Sequence, residues 1–143
     1  MIVVDTNILA YFFLPSEFTP AAEALYARDS EWAAPVLWRS EFRNLLAGYL
    51  RRGNLTFEQA LSLQTAAEHL LNGREYAIDS ESVLRLVSES QCSAYDCEFV
   101  VLAQRLGVPL VTMDGKVRQA FPMITTEILF SNCQQKSLRN SEF

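Results

Sequence analysis

Residues 1–9, Met1-Ile2-Val3-Val4-Asp5-Thr6-Asn7-Ile8-Leu9, decide the class of fold. Ile2-Val3-Val4 is a short, unbroken apolar run rich in β-branched side chains, the pattern of a strand buried on both faces of a parallel sheet. Asp5 stops that run with a charge at the strand's carboxyl end. Far along the chain Pro109-Leu110-Val111-Thr112-Met113 repeats the device, and Asp114-Gly115 closes it with a turn signal. In an open α/β sheet ligands gather at the carboxyl ends of the strands, so acids placed there converge on one rim.

The stretches between these strands read as helices with weaker strands interspersed. Thr19-Pro20 offers a capping hydroxyl and a proline at the first helical position. Trp32-Ala33-Ala34 is a weak second strand. From Val36 to about Arg52 apolar residues recur at helical spacing and Gly53-Asn54 stops them. Thr56-Phe57-Glu58-Gln59 has the capping-box pattern and opens a helix running to Asn72-Gly73, so the two form an antiparallel helical hairpin beside the sheet. Tyr76-Ala77-Ile78 is a marginal third strand. Helices follow from Ser80 and from Ser93 or Ala94 to Leu106, the latter stopped by Gly107. The expectation is an α/β, three-layer domain over residues 1–130, with a mainly parallel central sheet flanked by helices and the hairpin. Residues 131–143 are polar and aperiodic, a tail that is disordered or left over from cloning. No internal repeat is visible.

Composition agrees with one folded unit. The chain has 143 residues, 50% hydrophobic and 20% charged, enough for a single core and too apolar for disorder throughout. Its net charge of -5 excludes a protein that grips nucleic acid by a broad basic surface. An acidic protein can still bind phosphates where a metal ion supplies the positive charge. Cys92, Cys97 and Cys133 form no CxxC pair and read as reduced thiols. No basic region precedes the first strand and no apolar run approaches roughly 18 residues, which predicts a cytoplasmic protein without a membrane partner.

Four acids stand where packing does not ask for them. Asp5 and Asp114 follow strands, Glu41 interrupts an amphipathic helix near its start, and Asp96 lies in the first turn of an apolar helix. Each has a local explanation: a helix dipole for Asp96, an Asp-Gly turn for Asp114, an arginine partner for Glu41. Gathered on one rim, however, they would raise each other's pKa unless a divalent ion neutralised them, and an all-oxygen quartet suits Mg²⁺ or Mn²⁺. Zinc is disfavoured because no His or Cys set accompanies them.

Val3-Val4-Asp5-Thr6-Asn7-Ile8-Leu9, Ser40-Glu41-Phe42-Arg43-Asn44-Leu45, Tyr95-Asp96-Cys97-Glu98-Phe99-Val100-Val101-Leu102-Ala103 and Leu110-Val111-Thr112-Met113-Asp114 resemble, in order and spacing, the four signature segments of PIN-domain nucleases, and among them the VapC-type toxins of toxin-antitoxin pairs. The resemblance spans roughly residues 1 to 130. It implies that Asp5, Glu41, Asp96 and Asp114 form the catalytic metal site of a ribonuclease, and that Asn7 and Thr112 line the same pocket. Locally, Asn7 could instead cap the helix after the first strand, and Thr112 could be chosen for β propensity. The resemblance also implies an RNA substrate, a cognate antitoxin covering the pocket, and a homodimer. Phe12, Phe13 and Leu14, close together near the amino end of the first helix, are either an exposed patch for such contacts or core.

Two departures from the family pattern stand out. Glu98 adds an acid two residues after Asp96, and since two helical residues turn about 200° it is expected to point away from Asp96 to the surface. Gly115-Lys116-Val117 supplies no further acid after Asp114. Of the basic residues, Arg43 and Lys116 are the candidates for phosphate contact, whereas Arg39, Arg51, Arg52 and Arg118 read as solvated helix face. His69, the single histidine, reads as surface or packing, and Trp32 and Trp38 as core anchors. The quartet would activate water for attack on a phosphodiester without a protein nucleophile, which suits a chain lacking His-dependent triads. Two alternatives are weighed: phosphotransfer through an aspartyl-phosphate on Asp5, which would want an acid where Asn7 stands, and a catalytically inactive PIN-fold module that binds RNA or protein.

Overall fold

A computed structural model of the chain describes residues 1–128. The 131–143 tail proposed from sequence lies outside the described residues. Among the described residues five strands, β1 (Ile2–Val4), β2 (Trp32–Pro35), β3 (Glu75–Tyr76), β4 (Leu110–Val111) and β5 (Thr125–Thr126), form one sheet in the order β3-β2-β1-β4-β5. Every pairing is parallel. Among the described residues seven helices connect them: α1 (Thr6–Phe13), α2 (Thr19–Arg28), α3 (Trp38–Arg51), α4 (Phe57–Leu70), α5 (Ser80–Glu89), α6 (Ala94–Leu106) and α7 (Gly115–Ala120).

The strand order reverses beside β1. From β1 the chain steps outward to β2 and β3, then returns across the sheet to β4 on β1's other side. Parallel crossovers are right-handed, so reversing the direction of travel moves the connecting helices to the opposite face. The packing agrees: α1 contacts α2, α3 and α4, while α6 lies across β1, β2 and β4. The resulting crevice at the carboxyl ends of β1 and β4 is the topological switch point, where such sheets bind ligands.

β1 is buried throughout, and Val3 and Val4 are wholly inaccessible, which explains its unbroken apolar run. Trp32 and Trp38 are fully buried and satisfy their indole N–H groups on Asp29 O at 2.8 Å and Glu75 Oε1 at 2.7 Å, as core anchors must. The capping box is present, with Thr56 and Gln59 exchanging bonds at 3.2 and 2.9 Å. Gly107 ends α6 in the left-handed conformation, at φ 66°, that a residue with a Cβ resists.

Some elements differ from expectation. Asp114-Gly115 is more than a turn, because Asp114 caps the short helix α7. β5 is an added edge strand held by β4, with Thr112 N–H donating to Thr126 O at 2.9 Å. Phe12, Phe13 and Leu14 form no exposed patch. They sit at the carboxyl end of α1, Leu14 is buried, and the rings of Phe12 and Phe13 pack on Trp32 at 5.3 Å and Phe42 at 6.2 Å. Among the described residues no helix is long and apolar enough to cross a membrane.

Candidate active site

The crevice at the ends of β1 and β4 holds a pocket of about 250 Å³ lined by Asp5, Glu41, Asp96 and Asp114. All four acids picked from the sequence therefore meet in one cavity, and each reaches it from the start of a helix. Asp5 leaves β1 and caps α1, its Oδ1 accepting from Ile8 N–H at 3.0 Å. Glu41 is in the first turn of α3 and Asp96 in the first turn of α6. Ser93 caps α6 through Asp96 N–H at 3.1 Å, which fixes the backbone under Asp96. Asp114 caps α7 and accepts from Lys116 and Val117 N–H at 2.9 and 3.2 Å.

Two threonines hold two of the carboxylates. Thr112, almost wholly buried on the strand side, donates its Oγ1–H to Asp5 Oδ2 at 2.5 Å and accepts from Asp114 N–H at 3.1 Å. One oxygen thus ties the acid after β1 to the acid after β4. Thr6 Oγ1 donates to Glu41 Oε1 at 2.7 Å and ties α1 to α3. Sequence reading missed Thr6. Its signal was its place between Asp5 and Asn7, where a hydroxyl on the first turn of a helix can reach sideways. Asn7 lines the pocket and is exposed; the capping role belongs to Asp5.

Electrostatics mark the site. Burial raises the Asp5 carboxyl from 3.8 to about 6, against the bonds from Thr112 and Ile8, and the charges of Glu41 and Asp114 push the same way. Burial and Asp96 raise Glu41, with Thr6 opposing them. Glu98 does not line the pocket, but it is partly buried where a surface position was expected, and its carboxyl is raised by burial and by Glu41. The helical angle from Asp96 is no guide to what α3 brings alongside. Among the described residues none of these acids has an ion-pair partner.

The bases sort differently from the sequence reading. Arg43 and Lys116 are exposed and neither lines the pocket. Arg39 is held by Glu75, through Nε at 2.6 Å, and by Glu68 at 2.6 Å. Arg118 faces Glu127 at 3.6 Å, and Arg52 lies over the Tyr49 ring, 4.9 Å from its centroid. His69 is exposed on α4, away from the acids. Among the described residues no cationic side chain thus lines the pocket. Its donor set is all oxygen, the chemistry that suits a hard divalent cation such as Mg²⁺ or Mn²⁺. As the side chains stand, no three of the described His, Cys, Asp and Glu residues close around a single point.

The family model of the PIN domain matches residues 2–120. Ribonuclease VapC3 of Pyrobaculum aerophilum is 28% identical over 128 residues, which cover 87% of this chain and 98% of that protein. Among solved structures, FitAcB from Neisseria gonorrhoeae is similar with a TM-score of 0.70 at 16% identity, over 87% of this chain and 96% of that one. A toxin-antitoxin complex from Klebsiella pneumoniae contains a chain with a TM-score of 0.66 at 20% identity, over 92% of this chain and 100% of that one.

Proposed function

The chain belongs to the PIN domain family, and from that premise we propose that it is a metal-dependent endoribonuclease, the toxin of a VapBC-type toxin-antitoxin pair. The observation that carries this reading is the meeting of Asp5, Glu41, Asp96 and Asp114 in one pocket without a neutralising base. A relative named as a ribonuclease, matched over nearly its whole length, supports the choice of RNA. A structural neighbour that is part of a toxin-antitoxin complex supports an antitoxin as the partner.

In this reading the four acids hold Mg²⁺ or Mn²⁺, which when bound supplies the Lewis acidity that activates water toward phosphorus and offsets developing charge. The chain's own contribution is placement. Thr112 and the Ile8 amide fix the two oxygens of Asp5, Thr6 fixes one oxygen of Glu41, and the amides of α7 fix Asp114. Asn7 lines the entrance, where its carboxamide can orient water or a ligand. Without a cation, a pocket of carboxylates repels a phosphodiester, so metal and substrate binding are coupled. Arg43 and Lys116, outside the pocket, are left to flanking phosphates. With few bases to follow a backbone, recognition rests on RNA shape and unpaired bases, so the substrate is a single-stranded loop of a structured cellular RNA. The toxin acts in the cytoplasm as a homodimer.

The test is cleavage of total cellular RNA by the purified chain with Mg²⁺ or Mn²⁺, with EDTA, and by the Asp96→Asn variant. Discrete cuts in loops that vanish with EDTA and in the variant are expected. A wild-type protein that cuts no RNA at saturating metal would make the chain a non-catalytic PIN module.

A further inference from the structure

The helix that carries Glu41 presents a second polar group to the pocket. Successive α-helical residues turn by about 100°, so the third and fourth residues after Glu41 return to its side of the helix, whereas the second lies about 200° round. Asn44 and Leu45 accordingly line the acidic pocket and Arg43 does not. Asn44 is exposed, and its carboxamide has no hydrogen-bond partner among the described residues.

The other polar groups of the pocket are committed or lack protons to give. Thr6 donates to Glu41 and Thr112 to Asp5. Ionised carboxylates only accept. Among the described residues that line the pocket, the side chains left with free N–H donors are Asn7 and Asn44. A phosphodiester offers its non-bridging oxygens as acceptors only. A neutral amide is the donor best suited to meet one there, because it makes the bond without pairing with, and so inactivating, the carboxylates beside it. An arginine in the same place would be captured by Glu41.

We infer that Asn44 is a phosphate-binding residue, its carboxamide N–H donating to a non-bridging oxygen of the substrate phosphodiester at the pocket mouth. The assignment rests on the nuclease reading above and names the chain's own contact to that substrate. It gives to Asn44 the role for which sequence alone nominates Arg43.

The test uses the full chain with Mn²⁺ and a fluorescein-labelled single-stranded RNA containing a cut site mapped in total RNA. Asn44→Ala, Asn44→Gln and Asn44→Asp are compared for kcat and KM, and for the rise in Tm on adding Mn²⁺. A hydrogen bond to a charged group predicts a drop in kcat/KM of at least about tenfold for Asn44→Ala. Tm and its response to Mn²⁺ should be unchanged in that variant, because the contact is to substrate. Asn44→Gln should retain more activity than Asn44→Ala, and Asn44→Asp less, because a carboxylate repels the phosphate. Wild-type cleavage with Asn44→Ala within about twofold of it would overturn the assignment and leave the nuclease reading standing. A loss in Asn44→Ala matched by a lost Mn²⁺ response would overturn it also, since the residue would then act through the acids. Failure of the wild type to cut any RNA would defeat the nuclease reading, and this assignment with it.

Discussion

Replacing Asp5 by Asn should stabilise the metal-free protein at neutral pH, against the usual direction for a change at the end of a core strand. Burial, with Glu41 and Asp114, raises the Asp5 carboxyl from 3.8 to about 6. Between those values the native protein keeps a proton that the unfolded chain has released. The stability due to that proton is complete below 3.8 and is lost as pH rises through about 6. At 1.36 kcal/mol per unit, the native state near pH 7 is penalised by about 3 kcal/mol. Asn keeps the shape and carries no charge; its single side-chain oxygen still accepts from Ile8 as a helix cap, while its NH2 takes the place of Oδ2 and donates to Thr112 Oγ1 where the carboxylate accepted. Urea unfolding in EDTA should therefore show Asp5→Asn more stable by up to about 3 kcal/mol near pH 7, on the order of 10 °C in Tm for a domain of this size. Near pH 4 the gain should be close to zero. Adding Mg²⁺ should reverse the order, because the ion stabilises the protein that binds it. A variant no more stable than wild type in EDTA near pH 7, or equally favoured at both pH values, would refute the account of Asp5.

Thr112→Val removes the donor to Asp5 and leaves Asp114 N–H without its acceptor. It should cost about 1–3 kcal/mol in urea unfolding and move the acid limb of the pH–activity profile upward, since a bond that lowers the Asp5 pKa is lost. Gln64 is buried on α4 between Ala60 and Ala67, with neither amide atom hydrogen-bonded among the described residues. Gln64→Leu should raise stability by about 1–2 kcal/mol, and a lowered Tm would show that the amide is satisfied in solution.

The sheet was legible where burial on both faces leaves a continuous mark. Ile2–Val4 and Leu110–Val111 announce parallel strands, and the acid at the end of each announces the site. β3, read one residue late as the marginal Tyr76-Ala77-Ile78, and β5, not read at all, are edge strands that are not fully buried, so neither carries the continuous apolar mark that makes the equally short β4 legible. α1 was obscured because one residue, Asp5, serves as strand end, helix cap and pocket acid at once. Phe12 and Phe13 looked exposable because the aromatic rings that cover them come from α2, β2 and α3. Glu98 failed for a similar reason, its surroundings being set by Glu41 on another element. Asn44 was different, for the three-residue helical spacing from Glu41 was in the sequence, and attention to charge favoured Arg43 instead.

Each of the four acids stands at the start of a helix: Asp5 and Asp114 as caps, Glu41 and Asp96 in first turns. Helix N-termini carry unsatisfied N–H groups and a partial positive charge, so several of them converging would by themselves attract an anion such as phosphate. Placing a full negative charge at each one inverts that preference. Four charges against roughly half a positive charge per helix leave the pocket negative. Asp5 is still raised to about 6 after accepting two hydrogen bonds, chiefly by burial, with the charges of Glu41 and Asp114 pushing the same way. The helices thus make the cluster tolerable without neutralising it, and in the proposed nuclease the uncompensated remainder is what would draw a cation. On the proposed reading, phosphate recognition would then fall to a cation and to neutral donors such as Asn44, since a pocket wall of arginines would collapse onto the acids and remove the imbalance on which cation binding would depend.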